Sequence, residues 1–344
     1  MVDTSTPYLL ELVDLVSSQA CLIARRCFAC GGEPTTGAGE HIIPRWLQNE
    51  FGLWDQRVRL LNGTLIPYRQ LTIPCCQRCN NGFLSEIEND VRRLLIVGSQ
   101  IASDERLSLG RWMAKVFVGF LIKESALPAD RKQPNGDSIV PASLLSHYAQ
   151  AQLILQSARK PTRFNSLHAD FPFTLYRYRI FEDARFGDFD LATNLAGQSI
   201  AIRFGTVGAI FVNDGGLQHH VGPKGPFDLD GSELHPVQFA EVAARVHYKA
   251  TLRDATHAYQ TSETDSSVVV DQLSVVPYTG ARLPNGDTKI FNEWDNEQCA
   301  QAIISHRPID WGPVLDEQTG QLFTTLVDRQ GAQRRPEELV ANIV

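Results

Sequence analysis

Two closely spaced cysteine pairs form the strongest chemical pattern in this sequence. Cys27 and Cys30 make one CxxC pair, Cys76 and Cys79 make another, and 45 residues lie between them. A CxxC turn directs two sulfurs toward one point, and a tetrahedral zinc ion needs two such turns. The pattern therefore predicts a structural Zn²⁺ site on these four thiolates, with Cys75 as a less usual replacement for Cys76. The odd total of seven cysteines argues against a disulfide framework, and the alternative is two pairs of buried or redox-active thiols.

Polar residues inside and directly after this cysteine frame have side chains suited to hydrolysis. Glu40 and His41 open the segment EHIIPRWL, and Asn80 and Asn81 follow the second pair directly. Histidine accepts protons near neutral pH, and carboxylate and amide oxygens suit Mg²⁺ or Mn²⁺ better than zinc. A lone Glu–His pair is common, and an Asn after a Cys often only caps a helix. Their order within the cysteine frame is what favours a catalytic site.

The order CxxC, acid-His-aliphatic-x-Pro and CxxC-Asn resembles that of the HNH endonucleases, over about residues 22–97. In that family a β-hairpin and a following helix surround one metal ion. The resemblance implies that Glu40 and Asn80 bind a catalytic Mg²⁺ or Mn²⁺ ion, with Asn81 in place of Asn80 if the helix register differs by one. It also implies that His41 is the general base, and that the activity is hydrolysis of phosphodiester bonds in nucleic acid.

One position departs from the family's pattern. The middle Asn of the HNH motif orients the base histidine, and it usually lies about nine residues before the last ligand. In this sequence Leu71 or Thr72 occupies that position. Gln70, Thr72 or a backbone carbonyl are the candidates to hold the imidazole instead, and the sequence alone does not choose among them.

Short elements must position these residues. The segments 57–61 and 69–73 read as strands with an Asn-Gly turn at 62–63, and residues 83–97 carry apolar side chains at helical spacing. Adjacent residues on a strand point to opposite faces. Glu40 and His41 can therefore share a site only where their strand ends or kinks, and Pro44 favours such an ending.

The distribution of charge bears on the expected partner. The whole chain has a net charge of −7, whereas residues 22–82 contain seven arginines, no lysine and four acids, for a net +3. Arginine suits bidentate phosphate contacts, although an excess this small also arises by chance. We expect double-stranded DNA as the partner, and a double-strand cut from one active site would require a homodimer. The candidate nucleic-acid contacts are Arg45, Arg57, Arg59 and Arg78.

The full chain has 344 residues and room for a second domain. We expect an α+β protein in which residues 1–104 form a ββα-metal (HNH) nuclease domain with the zinc site. Residues 105–344 form a mixed α+β accessory domain, helical over 107–160 and built of strands and helices over 170–344, for sensing, specificity or dimerisation. The sequence has no run of eighteen apolar residues and no signal-peptide pattern, so we expect a cytoplasmic protein without a membrane span. A nuclease with a second domain suggests restriction or phage defence by analogy.

Two other functions fit the same residues. One is a zinc-stabilised nucleic-acid-binding module whose catalytic site has decayed, for which Leu71 and Thr72 are the indication. The other is a zinc-ribbon interaction protein that binds no nucleic acid, for which the net acidity is the indication. Cleavage that depends on His41 separates the first from an enzyme, and salt-dependent DNA binding separates the second from both.

Overall fold

The computed structural model describes residues 25–35, 37, 39–97, 103–141, 145, 147–167, 170–220, 231–280, 286–328 and 330–342. A helix expected at residues 6–20 lies outside these ranges. The chain divides into two compact units, the first formed by Met1–Asn165 and Gln260–Asp271, the second by Ser166–Tyr259 and Gln272–Val344. Both combine helices with open sheets, which confirms the predicted α+β class.

The first unit contains the cysteine pairs and the Glu-His segment. It also contains the helices at residues 103–125 and 149–156, which the sequence places in the accessory region. In chain order its elements are β1 (Gly39–His41), α1 (Arg45–Glu50), β2 (Arg57–Arg59), β3 (Leu65–Pro67), β4 (Thr72–Pro74), α2 (Ser85–Val97), α3 (Ser103–Ser125), α4 (Ala149–Gln156) and β5 (Thr162–Asn165).

The first unit has two small antiparallel ladders, each formed by two three-residue strands. Strand β1 pairs with β4, so that Glu40 faces Ile73 and His41 faces Thr72, and β2 pairs with β3. The strand expected at 69–73 is therefore wrong as the partner of β2, because residues 68–70 form a 3₁₀ turn and the chain then pairs with β1. The predicted turn at 62–63 is confirmed, with Gly63 at φ 78.

Helix α2 does not begin directly after the second cysteine pair. A helical turn at Gln77–Cys79 leads into a five-residue π-turn at Asn80–Leu84, in which Gly82 leaves the helical region with φ −96 and ψ −124. The predicted helix at 83–97 is thus confirmed from Ser85 onward.

Helix α3 forms the centre of the first unit, with side chains buried over most of its length. It approaches the Glu-His segment closely at Gly119, where an added Cβ atom would lie 3.0 Å from the Ile42 side chain. Ile42 directly follows His41, the last residue of β1.

The second unit is a five-stranded sheet covered by helix α5. Its elements are β6 (Thr174–Ile180), β7 (Phe189–Asn194), β8 (Ser199–Phe204), β9 (Val207–Val212), β10 (Glu233–Leu234), α5 (Pro236–Thr251), β11 (Ala255–Glu263), β12 (Val268–Pro277), α6 (Asn296–His306) and α7 (Pro336–Asn342), of which β11 and β12 extend into the first unit. The sheet order is β10-β6-β9-β8-β7. Strand β6 and helix α5 share a core that includes Tyr178, Phe239 and Val246.

The structure confirms the strands and helices that the sequence predicts over residues 170–344, within the described ranges. His235 precedes α5 as expected, and its side chain accepts from the backbone N–H of Val237 as an N-cap. The adjacent histidines His219 and His220 lie in a short helical turn at Leu217–His220.

Candidate active site

The four predicted cysteines come together in one cluster. The Sγ atoms of Cys27, Cys30, Cys76 and Cys79 all lie within 4.8 Å of one another. Three of the side chains are buried and Cys30 is partly exposed. Thiolate sulfurs at this spacing from two CxxC turns are what tetrahedral zinc requires. The cluster is therefore placed to hold a metal ion, in agreement with the predicted structural zinc site.

The backbone of the first pair is shaped by glycine. Gly31 has φ 69, which favours a residue without a Cβ atom, and its N–H donates to the Cys27 carbonyl at 2.7 Å. A Cβ atom at Gly32 would lie 3.3 Å from the Cys30 sulfur. The two glycines thus allow the chain to turn tightly around the thiols.

Helix α4 supports the first cysteine turn with buried amides. Gln152 Nε2 donates to the Phe28 carbonyl at 2.9 Å, and Gln156 Nε2 donates to the Ala29 carbonyl at 2.8 Å. Because buried carbonyls are costly to leave unpaired, these glutamines hold the loop between Cys27 and Cys30 in place. The sequence-based prediction missed them, although two glutamines four residues apart on an apolar helix were the available signal.

Arg159 completes the surroundings of the cluster. Its Nη2 lies 3.3 Å from the Cys79 sulfur, and its guanidinium stacks over the Phe83 ring at 4.2 Å. A cation beside a thiolate stabilises its negative charge. Hydrogen bonds from the thiols of Cys30, Cys75 and Cys79 lower the pKa of Cys27.

Cys75 lies beside the cluster as well. Its sulfur is 3.9 Å from that of Cys27 and its thiol donates to the Cys76 carbonyl at 3.4 Å. It belongs to neither CxxC pair, and the Cys27, Cys30, Cys76 and Cys79 set meets the metal-ligand geometry without it.

Glu40 is buried and ion-paired. Its carboxylate contacts the ammonium of Lys115, which also contacts Glu88. The same ammonium donates to the His41 carbonyl at 3.4 Å. Helix α3, which carries Lys115, therefore contacts the Glu-His segment directly.

His41 has different neighbours from Glu40. Gln48 Nε2 lies 3.3 Å from His41 Nδ1 and donates to the Ile43 carbonyl at 2.7 Å, and the Trp54 ring centroid lies 6.1 Å from that of the imidazole. Reversing the Gln48 amide would set its oxygen against the Ile43 carbonyl. The amide therefore donates to Nδ1, and the neutral ring carries its proton on Nε2.

The environment of His41 keeps the ring neutral. Burial lowers the pKa of His41, and the positive charges of Arg45 and Lys115 lower it further, whereas Glu88 raises it. A neutral imidazole is the form that can accept a proton.

The three candidates for the missing orienting Asn lie elsewhere. Thr72 pairs with His41 in the β-ladder, Leu71 accepts from the Ile42 N–H at 3.0 Å, and the carbonyls of Gln70 and Thr72 accept from Lys123 Nζ at 3.3 and 3.1 Å. The side chain that contacts the His41 imidazole is that of Gln48, which was not predicted from the sequence. Its signal was a glutamine on the inner face of the short helix that follows Pro44.

Asn80 and Asn81 both lie in the π-turn after the second pair. Asn80 is partly buried and its backbone N–H donates to the Cys76 carbonyl at 3.0 Å, whereas Asn81 is exposed. In the described part of the chain, no hydrogen bond joins either amide side chain to Glu40 or His41. The candidate arginines all lie at the surface: Arg45, Arg57, Arg59 and Arg78.

The chain matches no protein-family model, no curated protein and no solved structure. Among the described residues, a metal ion could be held by three or more His, Cys, Asp or Glu side chains at one place, and that place is the cysteine cluster. No helix in the described ranges is both long enough and apolar enough to cross a membrane.

Proposed function

We propose that this protein is a divalent-ion-dependent endonuclease of the HNH type, with a structural zinc on Cys27, Cys30, Cys76 and Cys79. The observation that carries the proposal is the continuity of β4. This strand pairs with β1, which bears Glu40 and His41, and within two residues it enters the second cysteine pair. The thiolate cluster and the Glu-His segment are thus parts of one small folded unit, as the family's architecture requires.

The donor set suits a hard divalent ion. The Glu40 carboxylate contacts the Lys115 ammonium and is also hydrogen-bonded to the Glu88 side chain, so a cation would have to bind beside these two partners. Glu40 and Asn80 would hold Mg²⁺ or Mn²⁺, with Asn81 as the alternative to Asn80. Once bound, such an ion would stabilise negative charge on a phosphate and on its leaving oxygen. Asn80 is the weaker member of the pair, because its side chain has no contact with Glu40.

His41 is the proposed general base. In its neutral form the lone pair is on Nδ1, so a proton from an attacking water would be taken there. Gln48 Nε2 orients the ring through its 3.3 Å contact with Nδ1 until the water takes its place there, and the 2.7 Å bond from the same amide to the Ile43 carbonyl keeps Gln48 beside the ring. General base catalysis of this kind is typically worth about 10²–10⁴-fold in rate.

Exposed cations around this segment support nucleic acid as the partner. Arg45 follows His41 by four residues, and Arg57 and Arg59 project from β2. The Trp54 ring is 39% exposed beside His41, where it can contact a sugar or a base. Contacts from arginine to phosphate position a duplex without reading its sequence. We propose double-stranded DNA as the substrate, with a homodimer needed for double-strand cleavage.

A plasmid-cleavage assay in Mg²⁺ or Mn²⁺ tests the proposal. Wild type and His41→Ala are compared at equal zinc content, so that loss of the fold is not mistaken for loss of the base. We expect wild type to cut and the variant to lose at least about 10²-fold in rate. Equal cutting by both proteins would refute the assignment of His41.

A second function is favoured by one observation. Glu40 is engaged by Lys115, and Asn80 does not contact it. A catalytically decayed module that binds nucleic acid through its arginines would have this arrangement. Salt-dependent DNA binding with no cleavage in any divalent ion would support that alternative.

A further inference from the structure

Trp54 is an exposed aromatic residue in the turn between α1 and β2. Its surface is 39% exposed, although Leu53 directly before it is buried. The backbone is hydrogen-bonded on both sides of the ring, from the Leu53 N–H to the Gln48 carbonyl at 2.8 Å and from the Arg69 N–H to the Trp54 carbonyl at 3.4 Å. Asp55 is also ion-paired with Arg69. The ring is therefore presented at the surface by a backbone that is held in place.

This ring lies beside the proposed general base. Its centroid is 6.1 Å from that of the His41 imidazole, and the planes of the two rings are tilted by 37°. His41 itself is only 8% exposed. A nucleotide that reaches the imidazole is therefore also within reach of the indole ring, which is the more exposed of the two.

Positive charge lies close to Trp54 in the chain. Arg57 and Arg59 alternate with Val58 on β2, so both point to the same side of that strand, and both are exposed. Arg45, at the start of α1, is exposed as well. Cations that contact phosphates and an aromatic ring that stacks on a base are the two components of sites for unpaired nucleic acid.

We propose that Trp54 stacks on an unpaired base at the cleavage site, so that the preferred substrate is duplex DNA with a nucleotide outside the base-paired stack. In fully paired DNA the faces of the bases are covered by their neighbours, and the grooves present only base edges. A base that has left the stack offers its face, and any of the four bases can stack on an aromatic side chain. This inference rests on the proposed function, because it takes the DNA to be cut beside His41.

Fluorescence anisotropy without added Mg²⁺ or Mn²⁺ tests the inference on DNA that is not cut. The full chain with its zinc is titrated into a labelled duplex with one unpaired adenine, and into the fully paired duplex of the same sequence. We expect wild type to bind the first about tenfold more tightly, which is the size of effect that one stacked base can have. With 2-aminopurine as the unpaired base, the loss of its fluorescence on binding measures the stacking directly.

Variants of Trp54 separate stacking from simple cover of His41. Trp54→Leu keeps an apolar side chain beside the imidazole but has no ring, so we expect its preference for the unpaired base and the loss of 2-aminopurine fluorescence to disappear. Trp54→Phe keeps a ring and should retain most of both. Trp294→Leu is the matched control, because Trp294 has a similar exposure of 36% but belongs to the second unit, and it should bind both duplexes as wild type does.

The outcomes distinguish this inference from the proposed function. If wild type binds both duplexes equally, or if Trp54→Leu keeps the preference, the role of Trp54 is overturned, whereas cleavage that is lost in His41→Ala still supports the nuclease. An equal loss of affinity for both duplexes in Trp54→Leu would also overturn it, because the ring would then contact paired DNA. If wild type binds neither duplex, both proposals fall.

Discussion

The Gln48 amide lies between His41 Nδ1, at 3.3 Å, and the Ile43 carbonyl, at 2.7 Å. It is fully buried and comes from a helix of six residues, α1, that begins four residues after His41. The imidazole is therefore oriented by a side chain seven residues further along the chain, rather than by one on the β4 side of the ladder.

Replacing Gln48 by Leu should impair catalysis without releasing zinc. The ring of His41 would lose its fixed orientation and tautomer, so we expect cleavage to slow by about 10–10²-fold. The unpaired Ile43 carbonyl should also lower the free energy of unfolding by about 1–3 kcal/mol. Cleavage rate, zinc content and urea unfolding measure these effects. Gln56→Leu is the control, because Gln56 is exposed and its side chain donates to the Gly52 carbonyl. An equal loss of cleavage rate in Gln56→Leu would contradict the role of Gln48 in orienting His41.

The adjacent cysteines Cys75 and Cys76 should differ in their effect on metal content. Cys76→Ala removes a member of the four-sulfur cluster, whereas Cys75→Ala removes a buried thiol outside either CxxC pair. We expect one zinc per chain in wild type and Cys75→Ala, and strongly reduced zinc in Cys76→Ala. Because the binding energy of a structural zinc is also folding energy, the first unit should unfold when Cys76 is lost or zinc is chelated. Metal analysis with circular dichroism measures both, and retention of zinc by Cys76→Ala would exchange the roles of the two cysteines.

The arginines of the first unit should govern the salt dependence of DNA binding. Each contact to phosphate that is removed should reduce the slope of log K against log salt concentration by about 0.9. We therefore expect Arg57→Ala combined with Arg59→Ala to bind more weakly and with a shallower slope, across all sequences tested. Arg179→Ala, an exposed arginine on β6, should leave both unchanged. Fluorescence anisotropy with a labelled duplex gives the slopes, and identical values for the two variants would exclude β2 from the DNA contact.

His247 predicts a loss of stability in mild acid. It lies on α5 with its Nδ1 at 2.6 Å from Ser199 Oγ, and burial lowers its pKa from 6.5 to about 3. The unfolded chain therefore binds a proton that the folded chain does not, between pH 6.5 and about 3. Stability contributed by the neutral ring is present above pH 6.5 and decreases as the pH falls through this window, by up to about 1.4 kcal/mol per pH unit.

Urea unfolding at pH 7.5 and pH 5.5 measures this dependence. His247→Asn keeps an acceptor for Ser199 but does not titrate, so we expect it to lose less stability than wild type between the two conditions. The carboxylates are common to both proteins and cancel in the comparison. The same pH dependence in both proteins would show that His247 is not the group responsible.

The cysteine cluster and the main helices followed from the sequence because their signals are local. A CxxC turn sets the direction of two sulfurs, and the apolar spacing of residues 83–97 and 107–127 indicates helices whatever surrounds them. The partner of β2 and the neighbours of Glu40 and His41 did not follow. They depend on contacts across many residues, such as Lys115 with Glu40 or Gln156 with Ala29, and neither has a periodic pattern. Gln48 is close to His41 in the sequence, but its contact with the imidazole depends on how the chain folds between the two residues.

The close packing of Gly119 against Ile42 has a practical consequence. A single methyl group at position 119 of α3 would lie 3.0 Å from the Ile42 side chain, so Ile42 or the helix would have to shift to admit it. The displaced residue is the one bonded directly to His41, yet no charged or hydrogen-bonding atom would have been altered. We therefore expect Gly119→Ala to reduce the proposed cleavage activity, because the end of β1 is displaced although all the proposed reactive groups are still present. Larger side chains at position 119 should reduce the activity further, in the order of their size.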